Sequence, residues 1–200
     1  MSNEPWAPDS RRFVYEACRV RCVAIAVRDS AGRGRPLYLT RPAKSESPTW
    51  SPRGTHIAFV GGGDTDAAPP ISANVYVVSS DGSGRANVSR ARSRRLFFDA
   101  DGRELSWSPD GRWLVFSAAS AGRPDGPSAL WVVRRDGTDF RPLLRGAARV
   151  GADDHAPAWS PDGRRIAFAR IVGAEDEDAP LSSSIYTVAP NGSGLRRLTR

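Results

Sequence analysis

The residues best suited to acid–base or metal chemistry are His155 and the two carboxylates beside it, Asp153 and Asp154. A histidine next to carboxylates can titrate near neutral pH or bind a metal ion. No nucleophile accompanies this group in the sequence, and no G-x-S-x-G motif occurs in the chain. The second histidine, His56, follows a turn motif, where we expect a structural role. The sequence therefore predicts no catalytic residue and a chain that is not an enzyme.

Two acidic segments resemble cation sites in composition. Glu175, Asp176, Glu177 and Asp178 form a continuous run of carboxylates, and residues 99–104 begin like a calcium loop with D-x-D-G. Hard cations take clustered oxygen ligands, but the second segment has no Glu at the twelfth position of such a loop. We interpret the first segment as a solvated loop tip and the second as a turn. We predict no metal site and no cofactor.

The chain is basic, with a formal net charge of +7, and its densest cationic segment is residues 90–95. A nucleic-acid surface needs interleaved aromatic residues and a continuous basic face. Arginines elsewhere are scattered among acidic residues, and Lys44 is the single lysine. We therefore expect no nucleic-acid partner.

The two cysteines, Cys18 and Cys22, are close in sequence and flank a short connection between two predicted strands. A hairpin would bring them opposite each other, at about the 4–7 Å Cα separation that a disulfide tolerates. The alternative is a pair of reduced thiols in the core. Zinc-site spacing is absent, because no further cysteine occurs and both histidines are distant in sequence.

The elements that position these residues are defined by an internal repeat. The motif Trp-Ser-Pro-Asp-Gly occurs at Trp107 and Trp159, and variants of it occur at Trp6 and Trp50. The tryptophans recur about every 50 residues, which is typical of β-propeller blades. The Ser-Pro-Asp-Gly segment has the residue preferences of a type I turn. Ser10 and Arg53 depart from the motif, so we expect less regular turns there.

Each repeat predicts four antiparallel strands, called a, b, c and d here. Strand a ends at the tryptophan, and strand b alternates large and small apolar residues. Strand c runs into an Asp-Gly or Asn-Gly dipeptide, a strong hairpin signal, and strand d carries a Leu-Thr or related pair. The large residues of strand b are Phe13 and Tyr15, Ile57 and Phe59, Leu114 and Phe116, and Ile166 and Phe168.

Both faces of such sheets are apolar, so each sheet must lie between two others, as in radially repeated blades. The sequence therefore predicts an all-β fold: a β-propeller of four-stranded antiparallel blades within one domain, residues 1–200. The predicted blades are approximately 1–41, 42–90, 98–146 and 152–200. We expect these four repeats to be part of a six-bladed or larger propeller, and closure as a four-bladed ring is the alternative.

The repeat resembles the WD-like Pro-Asp repeat of TolB-type propellers, which also occurs in propellers of prolyl-oligopeptidase-like and tricorn-like peptidases. The resemblance covers nearly the whole chain. It implies a non-catalytic scaffold that binds a protein or peptide. The alternative is a propeller that gates substrate for a peptidase domain outside this chain. Because the family is often extracytoplasmic, the resemblance favours a periplasmic location and a Cys18–Cys22 disulfide.

The long connections all fall on one rim of the predicted propeller, and long loops on a rigid scaffold often carry binding residues. These connections are residues 61–73, 90–104, 118–128, 146–155 and 172–184. The predicted interaction residues on this rim are Asp64, Asp66, Arg123, Asp125, Asp153, Asp154, His155, Glu175, Asp176, Glu177 and Asp178.

Three further expectations concern class and assembly. A metal-dependent propeller enzyme would need carboxylates converging at the channel, and Glu46, Glu104 and Asp154 are the candidates for it. No apolar run reaches the 18 residues of a membrane span, and the first residues lack the pattern of an export signal. If the ring is open, its two end blades expose apolar faces and strand edges, and self-association is expected.

Overall fold

The computed structural model describes residues 5–19, 22–40, 45–61, 71–89, 96–98, 105–120, 126–145, 152–172 and 182–199. These residues form sixteen β-strands and no helix. No helix with the length and hydrophobicity of a membrane crossing is therefore found in the described ranges. The predicted all-β architecture of antiparallel blades is confirmed.

The strands group into four consecutive blades. The first blade contains β1 (Arg12–Arg19), β2 (Cys22–Asp29) and β3 (Leu37–Tyr38), with an isolated bridge from Trp6 to Phe13 in place of strand a. The second contains β4 (Ser45–Trp50), β5 (His56–Gly61), β6 (Ile71–Ser79) and β7 (Ala86–Asn87). After β8 (Leu96–Phe98), the third contains β9 (Leu105–Trp107), β10 (Trp113–Ser120), β11 (Ala129–Arg134) and β12 (Arg141–Pro142). The fourth contains β13 (Ala152–Trp159), β14 (Ile166–Val172), β15 (Ser182–Val188) and β16 (Arg196–Arg197). The predicted boundaries of the blades, 1–41, 42–90, 98–146 and 152–200, stay a prediction.

The turns between strands a and b share one geometry. In the third and fourth blades, the glycine N–H donates to the carbonyl of the motif serine, and Gly111 and Gly163 have φ of 68° and 70°. Ser10 replaces this glycine in the first blade, yet it adopts φ of 57° and donates to Ala7 O in the same way. The turn at Arg53 also keeps its hydrogen bond, from Gly54 N to Ser51 O. The expectation of less regular turns at Ser10 and Arg53 is therefore wrong.

The hydroxyl of strand d explains the repeated Leu-Thr and Val-Ser pairs. Thr40, Ser89 and Thr199 each accept a hydrogen bond from a strand c N–H, at 2.9, 2.8 and 2.8 Å. The preceding residue of each pair donates its N–H to the carbonyl of the same strand c residue. These paired bonds fasten the outermost strand, which is only two residues long in each blade.

The core lies between blades and divides along their faces. We call the face toward the preceding blade the front face and the face toward the following blade the back face. The front faces carry the motif tryptophan and the large residues of strand b, such as Ile57 and Phe59, which pack against the back face of the first blade at Val14 and Ile25. The same division recurs at the second and third joints.

Strand β8 lies in a segment that we predicted to be an irregular connection. Leu96 pairs with Ser120 of β10 and with Ala73 of β6, so β8 joins the second and third blades into a single nine-stranded sheet. Leu96 and Phe98 are each 1% exposed. Leu96 and Phe98 therefore belong to the core between the second and third blades.

The two end faces are open. Trp6 on the front face of the first blade and Leu198 on the back face of the fourth blade are both exposed, although the equivalent Trp50, Trp107, Leu39, Val88 and Leu143 at the internal joints are buried and Trp159 is partly buried. A four-bladed ring would bury both faces against each other. The alternative of closure as a four-bladed ring is therefore wrong for this structure, which is an open array.

The register of the first hairpin corrects the expected cysteine geometry. Cys18 pairs with Val23 and Cys22 pairs with Arg19, so the two cysteines are not cross-strand partners. The expectation that the hairpin places the cysteines opposite each other is wrong.

Candidate functional site

The described part of the long-loop rim centres on the start of β13. Of the predicted interaction residues, Asp153, Asp154 and His155 lie there, together in one strand. The others fall outside the described residues: Asp64, Asp66, Arg123, Asp125, Glu175, Asp176, Glu177 and Asp178. The acidic run at 175–178, the basic stretch at 90–95 and the calcium-like segment at 99–104 also fall outside them.

A β-bulge determines how β13 presents these residues. Asp153, Asp154 and His155 pair in order with Ile171, Arg170 and Ala169 of β14, and the register then shifts before Ala158. Ala156 lies in the bulge with φ of 50°, a conformation uncommon for residues other than glycine. The same irregularity occurs in β4, where Ser47 has φ of 56°. Bulges re-aim side chains beside functional sites, and here the bulge follows directly after His155.

The exposed part of the site consists of a histidine–carboxylate pair. His155 Nε2 donates to Asp153 Oδ2 at 2.9 Å, and the side chains are 23% and 37% exposed. The second carboxylate oxygen, Asp153 Oδ1, accepts from the backbone N–H of Ser128 in the third blade at 2.7 Å. The pair is therefore held across the joint between the third and fourth blades while remaining accessible to solvent. We call Asp153 and His155 the rim pair.

The rim pair rests on a buried ion pair. Arg170 contacts Asp154 through two hydrogen bonds, Nε to Oδ1 at 2.6 Å and Nη2 to Oδ2 at 2.9 Å. The guanidinium also lies 5.4 Å from the ring centroid of Phe168 and 5.1 Å from that of Tyr186. Planar stacking with bidentate hydrogen bonds is the geometry in which arginine is favoured over lysine. The ion pair therefore fixes β13 to β14 directly beneath the rim.

Two hydrogen bonds to the backbone of Asp154 also connect it to the third blade. Ser117 Oγ donates to Asp154 O at 2.6 Å, and Asp154 N donates to Ser128 O at 3.1 Å. Asp154 is itself fully buried. Its carboxylate is occupied by Arg170, so the predicted contact role for Asp154 is not supported, and neither is its role as a ligand in a metal-dependent enzyme. Of the other two carboxylates proposed for that enzyme, Glu46 is half-buried and Glu104 lies outside the described residues.

The described part of the rim offers polar side chains that a partner could contact. Among the residues that the structure describes, no three His, Cys, Asp or Glu side chains come together as a metal site. The rim pair offers hydrogen-bond donors and acceptors. Such groups can bind a polar or charged segment of a partner.

The short-turn rim carries a second polar cluster around His56. His56 Nδ1 lies 2.9 Å from Thr55 Oγ1 and 3.4 Å from Arg135 Nη1 of the third blade. Because a guanidinium can only donate, Nδ1 accepts this contact. Burial, and then the positive charge of Arg135, lower the pKa of the His56 imidazole. The predicted structural role of His56 is consistent with this geometry, in which it links two blades in its neutral form.

A shallow cavity of about 310 Å³ opens on the same short-turn rim between the third and fourth blades. Pro109, Trp113, Trp159 and Pro190 form its apolar walls, with Asp110 and Asp162 at its edge. Both carboxylates accept hydrogen bonds within their own turns, and the hydroxyl of Ser160 lowers the pKa of Asp162. The main role of these carboxylates is therefore to stabilise their own turns.

Arg170 is the residue that sequence reasoning missed. It lies two positions after Phe168 and four after Ile166, in phase with two buried front-face residues of β14. A charged residue at a core position of a strand requires a partner. The position of Arg170 on the buried face of the strand could therefore have predicted a buried ion pair. Only the strand register identifies Asp154 as the partner.

Comparison with known proteins supports the β-propeller fold. No protein-family model matches the chain. The chain is 34% identical over 94 residues to the Tol-Pal system protein TolB of Anaeromyxobacter dehalogenans strain 2CP-C, which covers 47% of this chain and 18% of TolB. The chain therefore spans less than a quarter of the TolB relatives that it matches.

Solved structures extend the similarity to the whole described array. A putative TolB from Agrobacterium tumefaciens matches with a TM-score of 0.64 and 22% identity, over 96% of this chain and 62% of the other. A prolyl endopeptidase matches with a TM-score of 0.63 and 15% identity, over 98% of this chain and 28% of the other. The fold is thus that of a β-propeller array. The chain is therefore similar to TolB over 47% of its length and shares the β-propeller fold of solved TolB structures.

Proposed function

We propose that these blades belong to a non-catalytic propeller scaffold that binds a protein or peptide at the long-loop rim between the third and fourth blades. The observation that carries this proposal is the rim pair, Asp153 and His155, which is accessible yet held across a blade joint. Binding is stronger when the contacting groups are already ordered, because less conformational entropy is lost. The buried pair of Asp154 and Arg170 provides that order.

The similarity to TolB suggests the kind of partner and the location. The sequence relatives are named as Tol-Pal system proteins. We infer that the partner is a protein of such a system, with Pal as the first candidate, and that this chain works outside the cytoplasm, in the periplasm. The alternative function is substrate gating for a prolyl-oligopeptidase-like or tricorn-like peptidase, and the similarity to a prolyl endopeptidase favours it in fold alone. A G-x-S-x-G motif elsewhere in the same gene would support that alternative.

A titration of this protein against purified Pal of Anaeromyxobacter dehalogenans tests the proposal. His155→Ala removes one member of the rim pair, and Asp153→Asn keeps the acceptor for Ser128 N while removing the charge. We expect each variant to weaken binding by about tenfold or more, equivalent to roughly 1.4 kcal/mol. Arg112→Ala is the matched control, because Arg112 is 79% exposed on the short-turn rim. Absence of binding, or equal weakening by the control, would overturn the proposal.

A further inference from the structure

The cavity on the short-turn rim lies at the third joint, between the third and fourth blades. At the first joint, between the first and second blades, the same rim holds an arginine of this chain. The Arg12 guanidinium lies 5.1 Å from the ring centroid of Trp50, the motif tryptophan of the second blade. Its Nη2 donates to Asp9 Oδ2 at 3.2 Å. The first joint therefore shows which chemical group this position accepts.

The surroundings of Arg12 correspond, by repeat position, to the walls of the cavity. Asp9 and Trp50 contact the guanidinium, and Pro8 and Gly54 lie beside it. A β-carbon on Gly54 would lie 3.4 Å from Pro8 Cδ and 3.9 Å from Arg12 Nη2. Counted from the motif tryptophans, the equivalents of these four neighbours all line the cavity: Pro109, Asp110, Trp159 and Gly163.

The third joint carries no arginine at the position of Arg12. That position, six residues after the motif tryptophan, is Trp113 in the third blade, and Trp113 lines the cavity. The guanidinium of Arg134 lies 4.9 Å from the Trp113 ring centroid and is paired with Asp139 at 2.9 Å. Arg134 is not part of the cavity wall, and none of the described residues that line the cavity is basic.

The second joint has an arginine from a different position. Arg135 Nη1 of the third blade lies 3.4 Å from His56 Nδ1 of the second blade. His56 is six residues after its motif tryptophan, so it is the equivalent of Trp113. The equivalent of Arg135 in the fourth blade is Pro190, which lines the cavity. At the third joint, apolar residues therefore replace both of the positions that supply arginine at the other two.

Asp110 retains an oxygen that is suited to a guanidinium. Its Oδ1 accepts from Ser108 Oγ and Arg112 N within the turn, whereas its Oδ2 lies 4.0 Å from Arg112 Nε, beyond hydrogen-bond distance. Burial raises the pKa of Asp110, but the hydrogen bonds from Ser108 and Arg112 outweigh it and the pKa is lowered. The carboxylate is therefore charged at neutral pH and can accept a charge-assisted hydrogen bond at Oδ2.

We propose that the cavity at the third joint binds an arginine side chain of a second protein partner. The incoming guanidinium stacks on Trp159 and pairs with Asp110 Oδ2, as Arg12 does with Trp50 and Asp9 at the first joint. A planar cation that both stacks and donates hydrogen bonds fits such a site better than an ammonium group. Two carboxylates at the cavity edge and aromatic walls complement that charge and shape. The site lies on the rim opposite to the rim pair, so it does not depend on the function proposed above.

A pair of small ligands tests the proposal on the wild-type protein. N-acetyl-arginine N-methylamide is the probe, and the citrulline analogue is the matched control because it has the same shape without the charge. Titration is followed by the indole N–H signals of Trp113 and Trp159 in NMR spectra. We expect saturable shifts with the arginine probe and binding at least about fivefold tighter than for citrulline. Equal affinity for the two ligands, or no shift with either, would overturn the proposal.

Three variants locate the site. Asp110→Asn keeps the Oδ1 acceptor of the turn and removes the charge, so it should weaken binding of the arginine probe by about fivefold or more. Asp136→Asn is the matched control, because Asp136 accepts from Thr138 in a similar turn but does not line the cavity. Trp113→Arg recreates the arrangement of the first joint, so the guanidinium of the chain itself should occupy the cavity and abolish binding of the probe.

Thermal melting verifies that each variant is folded. Equal weakening by Asp110→Asn and Asp136→Asn would contradict the site, and so would undiminished binding by Trp113→Arg. If a variant does not fold, the comparison of the arginine and citrulline ligands on the wild-type protein decides the outcome.

Discussion

The buried ion pair between Asp154 and Arg170 gives the sharpest stability prediction. Asp154→Ala leaves the Arg170 guanidinium without its carboxylate, at a position where the two side chains are only 1% and 8% exposed. Removal of one partner from a buried ion pair costs about 3–5 kcal/mol, because the other charge stays buried. For a chain of this length, each kcal/mol shifts Tm by about 2–4 °C, so we expect Tm to fall by roughly 6–20 °C.

The structure supplies a matched control for this prediction. Arg134 and Asp139 form an ion pair of similar length, 2.9 Å, but their side chains are 49% and 57% exposed. Exposed pairs contribute about 0–1 kcal/mol, so Asp139→Ala should change the free energy of unfolding by no more than that. Urea denaturation measures both variants. A loss for Asp154→Ala that is no larger than the loss for Asp139→Ala would refute the role assigned to the buried pair.

A double variant separates charge burial from packing. Asp154→Leu combined with Arg170→Met replaces both charges with apolar groups, which is often close to neutral for a buried pair. We expect the double variant to be more stable than Asp154→Ala alone. A double variant that loses as much stability as the single variant would show that packing around β13, rather than the unpaired charge, determines the cost.

Three further predictions test other parts of the structure. Trp107→Ala should lower the free energy of unfolding by about 3–5 kcal/mol, as for other buried aromatic residues. Trp6→Ala at the open end should lower it far less in dilute protein. Equal losses in urea denaturation would contradict the open array. The pKa of His56 is lowered in the folded protein, so the unfolded chain binds a proton more readily. The free energy of unfolding should therefore fall as pH decreases below about 6.5. His56→Gln should reduce this dependence of stability on pH, measured by thermal melts between neutral and mildly acidic pH. The hairpin register of Cys18 and Cys22 predicts two free thiols, which are alkylated in the unfolded protein without prior reduction. Alkylation only after addition of a reductant would contradict the prediction of free thiols.

The strand order was predictable because its signals are local. The motif from Trp159 to Gly163 determines a turn whose geometry depends on four neighbouring residues, and the hydroxyl of Thr199 fastens strand d within the same blade. Because the same local signals occur in four repeats, together they predict the fold. An open array was also expected, because the four repeats were interpreted as part of a six-bladed or larger propeller.

The parts that were not predicted depend on non-local pairing. Strand β8 is three residues long and has no alternation to detect, and its position depends on edges offered by β6 and β10. The pairing of Arg170 with Asp154 depends on the β13 register before the bulge. A register change of one residue also separates Cys18 from Cys22 as cross-strand partners. Sequence spacing alone does not determine register to one residue.

The most direct test of the central claim is hydrogen–deuterium exchange of this protein with and without Pal. If the long-loop rim is the binding surface, peptides that cover the start of β13 (Ala152–Trp159) and residues 126–128 should exchange more slowly in the complex. Peptides that cover the short-turn rim at residues 108–113 should be unchanged. Protection at the short-turn rim instead, or no protection anywhere, would contradict the account.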